Sequence, residues 1–291
     1  LLVSNWGGRV PRPGDRTAKS EKLDVVIDER GAAASGTVSL IDLASGETRH
    51  VEVGLHPTAI AVQGARAYVA NAASDTISEI EIPSAQVTRT IPIKWTSLRV
   101  RGSLPNALAI RGETLWVANG GDNALCEIDL PSGAVRGFRP AGYFPVAVAL
   151  SPDRPRAWVL NTKGNGSVAR TTLGRPGNAH DFQGTVNLLD LDRPIDAETK
   201  IVAANNRWDR IIERPTLKVY NGAIEHVIYI IKENRTYDEI FGDLPQGNGD
   251  PKLVMYGRDV TPNHHALAEQ YVLLDNLYAS SSISFDGHQW L

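Results

Sequence analysis

The chain has one cysteine, Cys126, in 291 residues, which excludes an intramolecular disulfide framework and a zinc ribbon. It does not fix a compartment, because an exported protein can fold without disulfides. No apolar run approaches the roughly 20 residues that cross a bilayer, so no membrane-spanning segment is expected. Charge of one sign is not in excess either. A net charge of −3 gives no footing for nucleic acid or an anionic membrane surface. The opening, "LLVSNWGGRV", lacks an initiator methionine and the basic-then-apolar layout of a signal peptide. It begins inside a repeat, so the chain reads as an excerpt of a longer protein, with any export signal outside it.

What remains is ordinary globular composition, 42% hydrophobic and 22% charged, at a length that suits two domains. Internal similarity fills the first two-thirds. "YVANAASDTISEIEI" (68–82) and "WVANGGDNALCEIDL" (116–130) align without a gap, their asparagines 48 residues apart. "LVSN" (2–5) and "WVLN" (158–161) carry the same element. A second element precedes it in "HPTAIAV" (56–62), "LPNALAI" (104–110) and "FPVAVAL" (144–150). A third follows it in "SLIDL" (39–43), "SEIEI" (78–82), "CEIDL" (126–130) and "NLLDL" (187–191). Each element is short, alternating and rich in β-branched or aromatic residues, as strands are; turn-forming clusters separate them. Three or four strands recurring every 40–48 residues are the signature of propeller blades. Insertions at 9–35 and 162–183 are placed as long loops.

These motifs resemble the YVTN-type seven-bladed propeller family across residues 1–191, about four blades' worth. Within them, Asn5, Asn71, Asn119 and Asn161 are read as turn caps. Cys126 stands where Ser39, Ser78 and Asn187 stand elsewhere and is a blade-core thiol. Trp116 and Trp158 share the position of Tyr68 as packing aromatics. A propeller by itself implies a binding or scaffolding module, here for a protein or a cell-envelope ligand.

After residue 205 the rhythm breaks. "NNRWDRIIERPTLKVYNG" (205–222) reads as a linker. Then come the apolar run "HVIYIIK", the short helix or turn "TYDEIFGDL", the helix "HHALAEQY", the apolar "VLLDNLYA" and "SSSISFDGHQW". Strand, helix, helix, strand is the opening of an α/β domain. Strands at 227–231 and 272–277 are expected to be parallel, adjacent or one strand apart. Ligands sit at the carboxyl ends of such strands, where Glu233 and Asn234 fall. Thr236 and Glu239 form a T-x-x-E capping box just beyond. A carboxylate and an amide oxygen suit a hard divalent cation, although the same two residues could simply satisfy a helix start. Ser284 is a candidate nucleophile or a member of a Ser-rich turn. His288 contacts substrate or metal, or packs on Trp290. His264 and His265 cap or pack their helix; Asp238 and Asp275 read as structural, and Tyr237 with Phe241 as core.

"HVIYIIKENRTYDEIFGDL", "NHHALAEQYVLLDNLY" and "SFDGHQW" resemble the phosphoesterase family of the alkaline phosphatase superfamily, which includes bacterial phospholipase C and acid phosphatase. The order propeller, linker, then this domain is similar to bacterial bifunctional proteins that join the two. The resemblance implies a periplasmic or secreted, metal-dependent phosphoric-ester hydrolase. Residues 1–204 would be partial propeller blades, 205–222 the linker and 223–291 the start of the phosphoesterase domain. It implies Glu233 and Asn234 as metal ligands and Ser284 as nucleophile and metal ligand. Glu233 and Ser284 would then lie within about 8 Å of each other on one sheet edge. Further ligands are expected beyond Leu291, so these residues alone should hydrolyse no phosphate ester. The rival reading is a non-catalytic propeller scaffold.

Overall fold

The computed structural model describes residues 1–20, 22–93, 102–165, 183–208, 225–226, 228–275 and 277. The chain divides into two compact units, Leu1–Arg170 with Asn178–Glu213, and Thr171–Gly177 with Arg214–Leu291.

The first unit is built almost wholly of antiparallel strands. β1 (Leu2–Asn5) is followed by a hairpin, β2 (Thr17–Ser20) and β3 (Leu23–Val26), before β4 (Gly36–Ile41) and β5 (Thr48–Val53). The second sheet is β6 (Pro57–Gln63), β7 (Arg66–Asn71), β8 (Thr76–Glu81) and β9 (Gln86–Pro92). The third is β10 (Pro105–Arg111), β11 (Thr114–Asn119), β12 (Ala124–Asp129) and β13 (Val135–Pro140). The fourth is β14 (Pro145–Leu150), β15 (Arg156–Asn161) and β16 (Thr185–Asp190). Strand order follows the chain in every sheet, β1-β4-β5 included. The aligned motifs occupy equivalent places, with Asn5 opposite Thr37, Asn71 opposite Thr76, Asn119 opposite Ala124 and Asn161 opposite Thr185. These are propeller-like blades, and among the described residues no helix interrupts 56–150. The insertion at 9–35 is more than a loop: β2 and β3 pair within it. Their exposed four-residue strands carry too little polarity pattern to be seen in sequence.

The passage from one sheet to the next follows a single recipe. Gly54-Leu55-His56-Pro57, Gly102-Ser103-Leu104-Pro105 and Gly142-Tyr143-Phe144-Pro145 lead into β6, β10 and β14. His56, Leu104 and Phe144 adopt left-handed backbone, φ 54°, 50° and 57°, which side-chain-bearing residues seldom do. Hydrogen bonds hold them there. Their carbonyls accept from the N–H groups of Ala72, Gly120 and Thr162 at 2.9, 2.9 and 3.1 Å, just past the motif asparagines. The leading glycine is required by close approach, since a Cβ on Gly54 would lie 2.7 Å from the Asn71 side chain.

Side chains then fasten neighbouring sheets at three radii. Asp75 accepts from the N–H of Gly102 and Leu104 at 2.7 and 3.1 Å, and Asn123 in the equivalent turn accepts from Phe144 N–H at 2.9 Å. Along the first strands, Thr58 donates to the Pro105 carbonyl and Asn106 to that of Pro145, at 2.7 and 3.2 Å. On the outer strands Arg49 donates to Pro83 O, Arg89 to Pro131 O and Arg139 to Arg193 O, at 2.9, 3.2 and 2.9 Å. Between these fastenings lie the apolar cores. Val38 and Val51 pack with Val69 and Ile80, Tyr68 and Ile77 with Val117 and Phe138, and Trp116 with Val159.

Two expectations need correction here. The motif asparagines do not simply cap turns. Asn5 and Asn71 donate to the paired strand, to the Ser39 and Ser78 hydroxyls at 2.9 and 3.0 Å, and Asn161 donates to Asn187 at 2.6 Å. Only Asn119 stays in its turn, bonded to Asp122 at 2.9 Å, because Cys126 offers no hydroxyl. Trp158, unlike Tyr68 and Trp116, is 42% exposed. Those two are covered by the following sheet, whereas none of the described residues covers the outward face of the fourth. Cys126 is the fully buried thiol expected, its pKa pushed well above the ordinary value by burial.

After β16 the chain forms α1 (Ile195–Asn205) against β13, which the repeat pattern did not foreshadow. Gly137 makes room for it, since a Cβ there would sit 2.5 Å from Thr199 Oγ1. That hydroxyl accepts from Phe138 N–H at 2.9 Å and donates to the Ile195 carbonyl at 2.8 Å. Trp208 stacks edge-on against Phe138 at 5.1 Å.

Candidate functional site

The string Lys232-Glu233-Asn234-Arg235 lies in the second unit. The apolar residues before it form no strand: Ile228, Tyr229, Ile230 and Ile231 are exposed, Ile228 to 87%. The described residues of 272–277 form no strand either, so the expected parallel pair is absent from this part of the structure. An unbroken apolar run fixes no face, and a strand exists only where a neighbour takes up its backbone bonds. Among the described residues neither segment has such a neighbour.

The helices are where the sequence puts them. α2 (Tyr237–Phe241) begins with the reciprocal capping box: Thr236 N–H donates to Glu239 Oε2 at 2.7 Å, and Glu239 N–H to Thr236 Oγ1 at 3.4 Å. Glu233 and Asn234 stand exposed just before that helix start. α3 (Pro262–Gln270) carries both histidines in its first turn. His265 is fully buried beside Phe241, ring centroids 5.3 Å apart. Its Nε2 lies 2.8 Å from Asp243 Oδ1 and its Nδ1 2.9 Å from the Thr261 carbonyl. The hydrogen bond from His265 holds the Asp243 carboxyl below its usual range. Both sides of that imidazole are occupied, so His265 packs the helix and ties α3 to the segment after α2. His264, on the neighbouring position, contacts the Lys232 ammonium.

The aspartates of this unit are structural as read. Asp238 accepts from Asp250 N–H at 2.7 Å and Asp275 from Asn248 N–H at 2.8 Å. Tyr237 and Phe241 rings lie 5.7 Å apart. Desolvation, then the Asp275 and Asp238 charges, raise the Tyr237 pKa. Arg235 belongs to the motif but has no role that the sequence assigns. Its guanidinium lies over the Tyr256 ring, 5.0 Å from the centroid, and donates to the Tyr256 hydroxyl at 3.1 Å.

Ser284 and His288 lie outside the described residues, as does any distance from Glu233 to Ser284. Among the described residues no group of three or more His, Cys, Asp or Glu is placed to hold a metal ion. The Glu233 carboxylate and Asn234 amide oxygen are hard donors on consecutive exposed residues. That donor chemistry fits a hard divalent cation whose other positions are filled from elsewhere.

The first unit contributes one buried acid that sequence reading missed. Asp122 sits in the β11–β12 turn at 5% exposure, and its pKa is pushed up to about 6 by burial, against hydrogen bonds from Ser103 and Asn119. Its turn is joined to the end of α1, where Asn206 donates to the Asp122 carbonyl at 2.8 Å. The Oδ1 atoms of Asn71, Asn119 and Asn161 are buried without a partner. Their recurrence in three sheets marks a feature of the repeat and not a site special to Asp122.

No family model and no curated protein matches the chain. Solved structures do match. Kuenenia stuttgartiensis hydrazine synthase aligns with TM-score 0.42 and 23% identity over 58% of this chain and 53% of its own. The computationally designed Ika4 protein aligns with TM-score 0.37 and 15% identity over 60% of this chain and 89% of its own. Citrobacter koseri AztD aligns with TM-score 0.32 and 11% identity over 45% and 43%. This chain thus spans about half the length of the hydrazine synthase chain. At these values the likenesses identify no family.

Proposed function

We propose that the chain belongs to a metal-dependent phosphoric-ester hydrolase whose YVTN-type propeller serves as a binding module for a protein or cell-envelope ligand. The observation that carries this reading is the string Glu233-Asn234-Arg235-Thr236-Tyr237-Asp238 running straight into a helix closed by Thr236 and Glu239. The capping box uses Thr236 and Glu239, and the family resemblance implies a metal ion as ligand for the two oxygen donors ahead of it, Glu233 and Asn234. Glu233 and Asn234 would hold the cation, with Ser284 as third donor. That cation, when bound, lowers the cost of the serine alkoxide and offsets the charge that develops on the phosphoryl oxygens. Ser284 Oγ attacks phosphorus as its proton leaves; the new O–P bond forms while the ester O–P bond breaks, and the departing alcohol takes up a proton. Water then cleaves the phosphoserine, which frees inorganic phosphate from a monoester and a phosphomonoester from a diester.

The test uses the full-length gene product on aryl phosphate mono- and diesters with added divalent metals. Ser284→Ala should abolish turnover, and Glu233→Gln should raise the metal concentration needed for half activity by at least about tenfold. Turnover indifferent to both substitutions overturns the reading. A full-length protein that hydrolyses no ester but whose blades retain a ligand favours the scaffold.

A further inference from the structure

We propose that Arg235 is the group that grips the terminal phosphate of the ligand, an inference that rests on the hydrolase reading of this site and gives it a recognition element. The argument begins with how the side chain is held. Its Nη2 donates to the Tyr256 hydroxyl at 3.1 Å, its Nη1 reaches the Asn234 carbonyl at 3.4 Å, and the planar group lies over the Tyr256 ring. Tyr256 is fixed in turn. Its N–H donates to the Glu239 carbonyl of α2 at 2.9 Å, and its carbonyl accepts from Thr261 Oγ1 at 2.8 Å. Arg235 is therefore an exposed cation on a platform anchored to α2 and to Thr261, the residue that precedes α3.

Its partner matters as much as its rigidity. A neutral tyrosine orients a guanidinium without cancelling its charge, and Arg235 makes no ion pair among the described residues. Arg258, in the same unit, is instead neutralised by a two-pronged pairing with Glu269. An arginine has five N–H donors in a fixed fork, and Arg235 spends two of them on Tyr256 and its own chain. The remainder pair with no carboxylate among the described residues, and Arg235 directly follows the two proposed metal donors. An oriented, unneutralised fork beside a cation site matches a phosphate dianion, which accepts several charge-assisted hydrogen bonds at once. Much of the rotamer entropy that binding would otherwise cost is already lost to the Tyr256 contact. Lys232, on the other side of Glu233-Asn234, has its ammonium against His264. It is a point charge with one proton already committed, so it contributes less.

The experiment is calorimetric titration of inorganic phosphate into the full-length protein, with and without added divalent metal. Arg235→Gln should weaken phosphate binding at least about tenfold in both conditions, the size of a lost charge-assisted bond. Arg235→Lys should recover part of that loss, Tyr256→Phe should fall between it and wild type, and Lys232→Gln should cost less than Arg235→Gln. Absence of phosphate binding by the wild type overturns the proposal. So does unchanged affinity in Arg235→Gln, or a loss in Arg235→Lys as large as in Arg235→Gln accompanied by an equal fall in thermal midpoint, which would mark a structural arginine. The Ser284→Ala turnover assay fails independently. Phosphate binding that needs Arg235 in a protein without esterase activity would sink the hydrolase reading and leave the anion site standing.

Discussion

In the repeat unit, Val69, Val117 and Val159 are fully buried because a neighbouring sheet lies against each of them. In the second unit, Ile228, Tyr229 and Ile230 belong to a run at least as apolar and stand in solvent. Apolar content does not separate the two regions. A repeat supplies its own partner, since each sheet packs its apolar residues on the next, and stability accrues between nearest neighbours. An apolar run without such a repeat gains burial only from segments that its own neighbours in sequence do not supply. Polar groups differ in the same way. In the first unit they fasten sheet to sheet, while in the second they staple short helices and turns to each other.

The largest effect expected from this contrast is in core truncation. Phe138→Ala removes a ring packed between β12, α1 and Trp208 and should cost about 3–5 kcal/mol, read by urea unfolding. Phe241→Ala, on the half-buried α2, should cost under about 2 kcal/mol and leave the main transition in place. Amides of β7, β11 and β15 should exchange orders of magnitude more slowly than those of 228–235. Equal costs and equal protection would dissolve the comparison.

The next effect sharpens it through pH. Asp122 has its folded pKa raised, from an ordinary 3.8 to about 6, so the folded state holds its proton more tightly than the unfolded one. Its burden is absent below about pH 4, grows as pH rises through 4–6 and is complete at neutrality, roughly 2–3 kcal/mol at most. Asp122→Asn should therefore raise the thermal midpoint of the first unit at pH 7 and flatten its pH dependence between 4 and 7. A destabilised variant at pH 7 would show that the carboxylate is held by more than burial acts against.

Asp243 in the second unit is shifted the other way. Its folded pKa is lowered by the His265 hydrogen bond, so its contribution is present above the unfolded value near 4 and is lost as pH falls through the folded one. His265→Ala removes that bond and a fully buried ring and should cost about 1–3 kcal/mol, seen as loss of α3 helicity. It should also make the second unit less sensitive to acid. Unchanged acid sensitivity in this variant would detach Asp243 from the pairing. The smallest effect is at the helix cap: Thr236→Ala should cost about 1 kcal/mol, confined to faster exchange of amides 237–241. A loss spreading to α3 would mean that α2 organises the unit instead of decorating it.

The parts legible in the sequence are those whose determinants are local. Alignment of 68–82 with 116–130 located β7, β8, β11 and β12, because alternation and turn residues act over a few positions. The Thr236–Glu239 box and the helix at "HHALAEQ" were legible for the same reason. The fastenings between sheets were not, although Asp75 and Asn123, or Thr58 and Asn106, hold equivalent places in the repeat. Each looks like a turn or surface residue until the next sheet brings a carbonyl or N–H to it. Asp122 and Arg235 were missed alike, since neither burial nor a tyrosine platform is written in the residues beside them.

By itself the sequence determined where the repeated strands and the capped start of α2 fall, that the first two-thirds repeat, and which oxygen donors precede α2. Tertiary structure decided what those elements meet. It buried Trp116 and left Trp158 exposed although their motifs are alike, turned a tract inside the predicted blade region into α1 against β13, and gave residues 228–231 no strand partner among the described residues. The physical reason is range. Dihedral preference, alternation and capping are settled within a few residues, whereas burial and strand pairing are properties of two segments at once and exist only when the second arrives.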